Sequence, residues 1–196
     1  MIKRRKRMER RVLYFEKPGR DNTDDCLRVV QDVVSAGGIR DIIVASTTGE
    51  TGIRFSAALK GKGLNVVVVT HSQGFREPNT IEIPAEAVKE IEANGARVYT
   101  GTMITHSLET AFASKFSGLY PTLVVAQSLR RFGEGPKVCC EMAMMAVDAG
   151  LVPEGAEVLT VAGTGRGADT VMTVRAAASK RFLDLRVLEI LAKPRS

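Results

Sequence analysis

The feature that most constrains this chain is a set of short runs of apolar, mostly β-branched residues, each followed by a polar or glycine-rich loop. Residues 42–45 read IIVA, residues 66–69 read VVVV and residues 158–162 read VLTVA. Such short runs are typical of strands buried on both faces of a parallel sheet. We therefore expect a three-layer α/β/α fold, with a mostly parallel sheet of about five strands and one antiparallel edge strand.

The segments between these runs carry helix signals. Asn22 or Thr23 is expected to cap a helix that ends at Gly37, and Pro84 to begin one that ends near Asn94. Residues 107–150 predict two or three more helices. Helices on both faces of a parallel sheet leave ligands only the crevice outside the carboxyl ends of the strands.

The loop after the first run, residues 46–52, reads STTGETG and precedes a predicted helix. Thr48 or Thr51 can cap that helix, and Gly49 and Gly52 can let the backbone approach a ligand closely. The free N–H groups and the dipole at a helix N-terminus attract an anion. Four hydroxyls add possible donors, those of Ser46, Thr47, Thr48 and Thr51. An ordinary β–α turn that binds nothing is the alternative.

A second glycine-rich loop, residues 163–170, reads GTGRGADT, with Arg166 as its only cation. Its glycines alternate, and the residues that follow predict a strand rather than a helix, so the spacing does not match the dinucleotide-binding pattern. We expect either a lid over an anion or a simple hairpin connection.

These segments resemble a known family. Residues 42–70 and 158–176 are similar to the C-terminal domain of pyruvate kinases, whose corresponding loops hold a sugar-phosphate effector. Residues from Met8 onward resemble more closely a family of small, mostly archaeal, stand-alone proteins built on that domain, through the motifs YFxxPG (residues 14–19), KVCxE (137–141) and RGADT (166–170). The resemblance implies that fold and the capacity to hold FMN. The second loop lacks the proline and the Ser-Gly of the pyruvate kinase effector loop, so a sugar bisphosphate is not expected.

Residues 71–75, HSQGF, follow the second apolar run directly. A flavin ring would stack on Phe75, with His71 and Gly74 beside it. Alternatively, Phe75 plugs the core and His71 is an ordinary turn residue. The chain has two histidines, with no carboxylates at ligand spacing, so no metal site is expected.

Glu141 lies within an apolar helix predicted over residues 137–149, seven residues before Asp148. If this face turns toward the ligand, burial would raise the pKa of Glu141 toward general acid or base use. The alternative is a solvated face. No catalytic residue is assigned.

The net charge of +6 comes from the first eleven residues, which hold seven basic side chains and one acidic one. We expect residues 1–11 to be a disordered basic extension and residues 12–196 to form one domain. Binding of nucleic acid by this arm is the alternative function. No apolar run is long enough to span a membrane, and the odd number of cysteines, Cys26, Cys139 and Cys140, fits a reducing compartment.

Together these features predict a cytoplasmic protein that binds a phosphorylated small molecule, with FMN as its cofactor, either as a flavin-dependent enzyme or as a ligand sensor. At this length we expect no pyruvate kinase activity, because a catalytic barrel is not accommodated. A second copy of the chain is a further expected partner. The expected cofactor-binding residues are Ser46, Thr47, Thr48, Gly49, Thr51, His71, Gly74, Phe75, Glu141, Gly163, Thr164, Gly165, Arg166 and Asp169.

Overall fold

The computed structural model describes residues 9–195 of the chain, so most of the predicted basic extension, residues 1–8, lies outside the described residues. Strands and helices alternate along the chain as the sequence predicts. The strands are β1 (Leu13–Phe15), β2 (Asp41–Ala45), β3 (Asn65–Thr70), β4 (Arg97–Thr100), β5 (Glu157–Ala162), β6 (Thr170–Arg175) and β7 (Arg186–Pro194). The helices are α1 (Thr23–Ala36), α2 (Glu50–Leu59), α3 (Ala85–Ala93), α4 (Leu108–Phe116), α5 (Pro121–Leu129) and α6 (Glu134–Asp148).

Within residues 9–195 the strands form one seven-stranded sheet in the order β1-β7-β6-β5-β2-β3-β4. The α/β fold and the mostly parallel sheet are confirmed. Two details were wrong: the sheet has seven strands rather than about five, and the antiparallel strand, β6, is interior. The chain reverses direction a second time after β6, so β7 runs parallel to β5. Strand β1 pairs with β7 and forms the edge of the sheet.

Alternate residues of the central strands supply two separate cores. Ile42 and Val44 of β2 face the layer of α1, α2 and α3, where they pack with Phe55. Ile43, between them, faces α6 and packs in the cluster that contains Cys139. This alternation, which follows from the period of two in a strand, produces the three layers that the sequence predicts.

Helix α6 supplies most of the second layer and begins three residues earlier than predicted, at Glu134. Pro136 fits its first turn, where the missing N–H costs no helical hydrogen bond. Gly133, with φ of 120°, precedes the helix. Lys137 and Glu141, four residues apart in this helix, lie on the same helical face.

No helix within residues 9–195 is long and apolar enough to cross a bilayer. The nucleic-acid hypothesis concerns an arm that lies mostly outside these residues, and it stays a prediction.

Candidate functional site

A cleft of about 610 Å³ opens at the carboxyl ends of β2, β3 and β5. Both glycine-rich loops, the segment that begins at His71, and one face of α6 enclose it. Ten of the predicted residues line it: Ser46, Thr47, Thr48, Thr51, His71, Phe75, Glu141, Gly163, Gly165 and Arg166. Gly49, Gly74, Thr164 and Asp169 do not. The volume is in the usual range for small-molecule sites.

The N-terminus of α2 is capped by a different residue from those expected. Gly49 stands at the N-cap with φ of 94°, and the Oγ of Ser46 accepts the N–H of Gly52 at 3.0 Å. The prediction of Thr48 or Thr51 as the cap was therefore wrong, because Ser46 at the end of β2 already reaches the third helical N–H. Among the described residues, the N–H groups of Glu50 and Thr51 have no acceptor.

The two glycines of this loop are required by packing. A Cβ on Gly49 would lie 2.5 Å from the Cβ of Ala87. A Cβ on Gly52 would lie 2.8 Å from Val68 and 2.9 Å from Ile91. The space beside the two glycines is therefore filled by side chains of α3 and β3, and a close approach of their backbone to a ligand stays a prediction.

The second glycine-rich loop is fastened at its base and open at its tip. Asp169 is fully buried, and its Oδ2 accepts the N–H groups of Gly19, at 2.9 Å, and Thr164, at 3.0 Å. A Cβ on Gly163 would lie 2.5 Å from the carbonyl oxygen of Gly167. Asp169 thus shapes the loop, while Arg166 projects from its tip as an exposed side chain.

Four cationic side chains line the cleft, and three of them have carboxylate partners. Arg76 pairs with Glu82, Arg130 with Glu134 and Lys137 with Glu141. Arg166 has no carboxylate partner among residues 9–195. We call Thr48, Glu50, Thr51 and Arg166 the open end of the cleft. It combines a guanidinium that has no carboxylate partner among these residues with free helical N–H groups, and its carboxylate, that of Glu50, pairs with Arg20.

His71 lies at the centre of a hydrogen-bonded chain. Its Nδ1 is 2.7 Å from Oε2 of Glu82, and its Nε2 is 3.3 Å from Oγ1 of Thr47. The carboxylate can only accept, so Nδ1 carries the proton, and Nε2 of the neutral imidazole can accept the hydroxyl of Thr47. The ring of Phe75 lies 4.3 Å from that of His71, centroid to centroid, and 5.6 Å from that of His106.

Elsewhere in the lining of the cleft, Lys137 and Glu141 form a buried ion pair, in which Lys137 is 1% exposed and Glu141 is 3% exposed. Oε2 of Glu141 accepts Nζ of Lys137 at 2.5 Å, and Oε1 accepts both the N–H and the hydroxyl of Thr105 at 2.7 Å. Nδ1 of His106 is 4.0 Å from Oε1. We call Lys137, Glu141, Thr105 and His106 the paired wall.

These neighbours decide the protonation of Glu141. Burial by itself raises the pKa of the carboxyl, but nearby His106, the charge of Lys137 and the Thr105 hydrogen bonds together lower it to about 2. Burial lowers the pKa of Lys137, against the opposing effect of Glu141. The prediction of a raised pKa for Glu141 was wrong, because the hydrogen-bond donors and the positive charge around the carboxylate outweigh the effect of burial.

Sequence reasoning missed Lys137, His106, Glu82 and Arg76 as residues of the cleft. For Lys137 a signal was present, since a lysine four residues before a glutamate in an apolar helix predicts a buried pair. His106, Glu82 and Arg76 come from irregular segments after β3 and β4, and periodicity does not report on these.

A sequence model of the pyruvate kinase alpha/beta domain matches residues 24–175. Among solved structures, a pyruvate kinase from Cryptosporidium parvum is 14% identical, with a TM-score of 0.36, and the alignment covers 78% of this chain and 22% of that one. O-ureido-L-serine synthase is 15% identical, with a TM-score of 0.31, over 73% of this chain and 51% of that one. This chain thus spans less than two thirds of either protein.

Proposed function

This chain belongs to the pyruvate kinase alpha/beta domain family, and we propose that it binds a phosphorylated small molecule, FMN, in the cleft at the carboxyl ends of its parallel strands. One observation carries the proposal. The two glycine-rich loops, more than a hundred residues apart in sequence, meet at a single cleft. At its open end, two helical N–H groups and the guanidinium of Arg166 have no acceptor within residues 9–195. The proposal concerns binding and does not include pyruvate kinase catalysis.

The phosphate is assigned to the open end. The N–H groups of Glu50 and Thr51, the hydroxyl of Thr48 and the guanidinium of Arg166 are all without acceptors among the described residues. Oxygens of a phosphate are the acceptors that such donors bind best. Burying these donors under a ligand without such oxygens would cost free energy for each one left unmatched.

The remaining surface fits a flat aromatic ring system. Phe75, His71 and His106 form a cluster of rings beside the cleft, and Met103, Met142 and Met145 supply apolar, adaptable side chains. When bound, FMN would supply redox chemistry. The chain's own residues would stack on the ring and exclude water from one face of it.

We also propose a cytoplasmic location, which the state of the cysteines supports. Cys26, Cys139 and Cys140 are all free and buried. Burial raises the pKa of all three thiols, so they act as small apolar side chains.

The direct test is the absorbance spectrum of the purified protein in the flavin region, with mass spectrometry of any small molecule released by denaturation. FMN is the expected compound. Arg166→Ala should weaken FMN binding by about 1.5–3 kcal/mol, the value of a hydrogen bond to a charged group. Arg175→Ala, which removes an exposed arginine outside the cleft, is the matched control. Equal affinity of wild type and Arg166→Ala would remove the phosphate assignment.

Two uses of bound FMN are then distinguishable. Reduction of the bound flavin by NADH or NADPH at a catalytic rate would identify an enzyme. Ligand-dependent assembly of copies of the chain without turnover would identify a sensor.

A further inference from the structure

Thr47, His71 and Glu82 form a hydrogen-bonded chain. Their order is that of a nucleophile, a general base and a carboxylate that orients the base. Nδ1 of His71 donates to Glu82 at 2.7 Å, which leaves Nε2 free to accept a proton. Thr47 Oγ1 lies 3.3 Å from that nitrogen. Structures without substrate often have this contact somewhat long, and it tightens when substrate binds.

The carboxylate is itself held in place. Oε1 of Glu82, the oxygen that does not contact His71, is 3.2 Å from Nε of Arg76. The imidazole also packs against the ring of Phe75 at 4.3 Å. The hydrogen bond to Glu82 selects the tautomer of His71, and the contact with Phe75 restrains the orientation of its ring. A general base requires both.

Thr47 lies where a nucleophile is accessible. It is half-buried on the turn between β2 and α2, and it lines the cleft together with His71 and Glu82. The free N–H groups of Glu50 and Thr51 are on the same turn. They are donors of the kind that stabilise negative charge on a carbonyl oxygen during acyl transfer.

From this constellation we propose that the cleft hydrolyses short-chain carboxylic esters through an acyl-Thr47 intermediate. Thr47 Oγ1 forms a bond to the ester carbonyl carbon while its proton passes to Nε2 of His71. The bond from that carbon to the alcohol oxygen then breaks, and the alcohol leaves with the proton from Nε2. Water attacks the acyl group with His71 again as base, which releases the carboxylic acid and restores the Thr47 hydroxyl.

The apolar part of the lining suits an acyl chain, and the volume of the cleft limits the length of that chain. Met103, Val138, Met142 and Met145 form an apolar side, within a total volume of about 610 Å³. Glu82 is a positioning residue in this account, since it acts through His71. The proposal goes beyond FMN binding and does not rest on it; because both ligands use the N–H groups of Glu50 and Thr51, the ester reacts in protein without bound FMN, and added FMN should inhibit.

The test uses p-nitrophenyl acetate with the full chain. We expect a burst of p-nitrophenolate, and one acetyl group on Thr47 in the peptide mass spectrum after acid quenching. His71→Asn should lower the rate by about 100-fold or more, the contribution of general base catalysis. Thr47→Val removes the nucleophile, so it should lower the rate at least as much and abolish the burst. Ser114→Ala, which removes an exposed hydroxyl from α4, should leave the rate unchanged.

Glu82→Gln should lower kcat and leave KM unchanged, as expected for loss of orientation rather than loss of binding. Thr47→Ser keeps the hydroxyl and should retain the burst, which covers the case in which Thr47→Val fails to fold. Wild-type hydrolysis no faster than that of Thr47→Val, or acetylation at another residue, would overturn the proposal. FMN binding measured on the same samples reports separately on the proposed function.

Discussion

The two sides of the cleft contain similar side chains but differ in how many of their hydrogen-bonding groups are already used. On the paired wall, the two oxygens of Glu141 accept three donors, two from Thr105 and one from Lys137. At the open end, Arg166 and two helical N–H groups have no acceptor among the described residues. Charged groups that are already paired have their hydrogen-bonding needs met within the fold, so losing one partner is costly, whereas unpaired donors are available to a ligand.

The strongest way to break this comparison is Glu141→Ala. It leaves the ammonium of Lys137 buried without a partner, and we expect a loss of about 3–5 kcal/mol in the free energy of unfolding. Urea denaturation measures this. The double variant Lys137→Met/Glu141→Leu should recover much of the loss, because it removes both charges. A loss in the free energy of unfolding of about 0.5 kcal/mol or less, as is usual for a surface substitution, would mean that the pair is solvated.

The pH dependence of stability tests the same wall. The pKa of Glu141 is lowered to about 2 in the folded state from 4.5 in the unfolded state. The stabilisation is therefore complete above pH 4.5 and is lost as the pH falls from there toward 2. The expected difference is about 3 kcal/mol, at 1.36 kcal/mol for each pKa unit. Urea denaturation across this pH range should show a shallower decline for Glu141→Gln than for wild type, and parallel declines would contradict the assignment.

Asp169→Asn probes how the open end is held in place. An amide keeps only one of the two acceptor oxygens, so either the N–H groups of Gly19 and Thr164 or the hydroxyl of Thr170 loses its charged acceptor. We therefore expect a loss of about 1–3 kcal/mol in stability. Because Arg166 lies on the same loop, FMN affinity should fall as well. Thermal melts with and without FMN measure both effects. Asp184→Asn, on a distant turn, is the control, and an effect no larger than that of the control would show that the loop does not depend on Asp169.

The smallest expected effect concerns Glu50, which brings a negative charge to the open end. Its exposed pair with Arg20 contributes little to stability. Glu50→Gln should tighten FMN binding by about 0.3–1 kcal/mol, since an anion at the helix N-terminus no longer meets a like charge. Titration calorimetry at low ionic strength measures the change. Weaker binding in this variant would place the phosphate elsewhere.

Much of the fold was predictable because the strands have strong local signals. The short apolar runs of β2, β3 and β5 are typical of buried parallel strands. The glycines and prolines between them mark where helices begin and end. The order of β6 and β7 was not predictable in the same way. It depends on a reversal after β6 whose sequence, residues 176–185, has no pattern that selects one direction.

Within the site, the sequence predicted which loops line the cleft but not what each residue does in them. Four hydroxyls compete to cap α2, and only the geometry at the end of β2 selects Ser46. The environment of Glu141 depends on Thr105 and His106, about 36 residues away on another element. The sequence around Glu141 indicates that the carboxylate is buried. It does not indicate which distant residues donate hydrogen bonds to that carboxylate.

The central claim is that the open end binds a phosphate group, and titration calorimetry of the protein with FMN and with riboflavin tests it most directly. The two compounds share the ring and differ by the phosphate. We predict that FMN binds at least about tenfold more tightly, a difference of 1.4 kcal/mol or more, and that the difference shrinks in Arg166→Ala. Equal affinity of wild type for riboflavin and FMN would contradict the account.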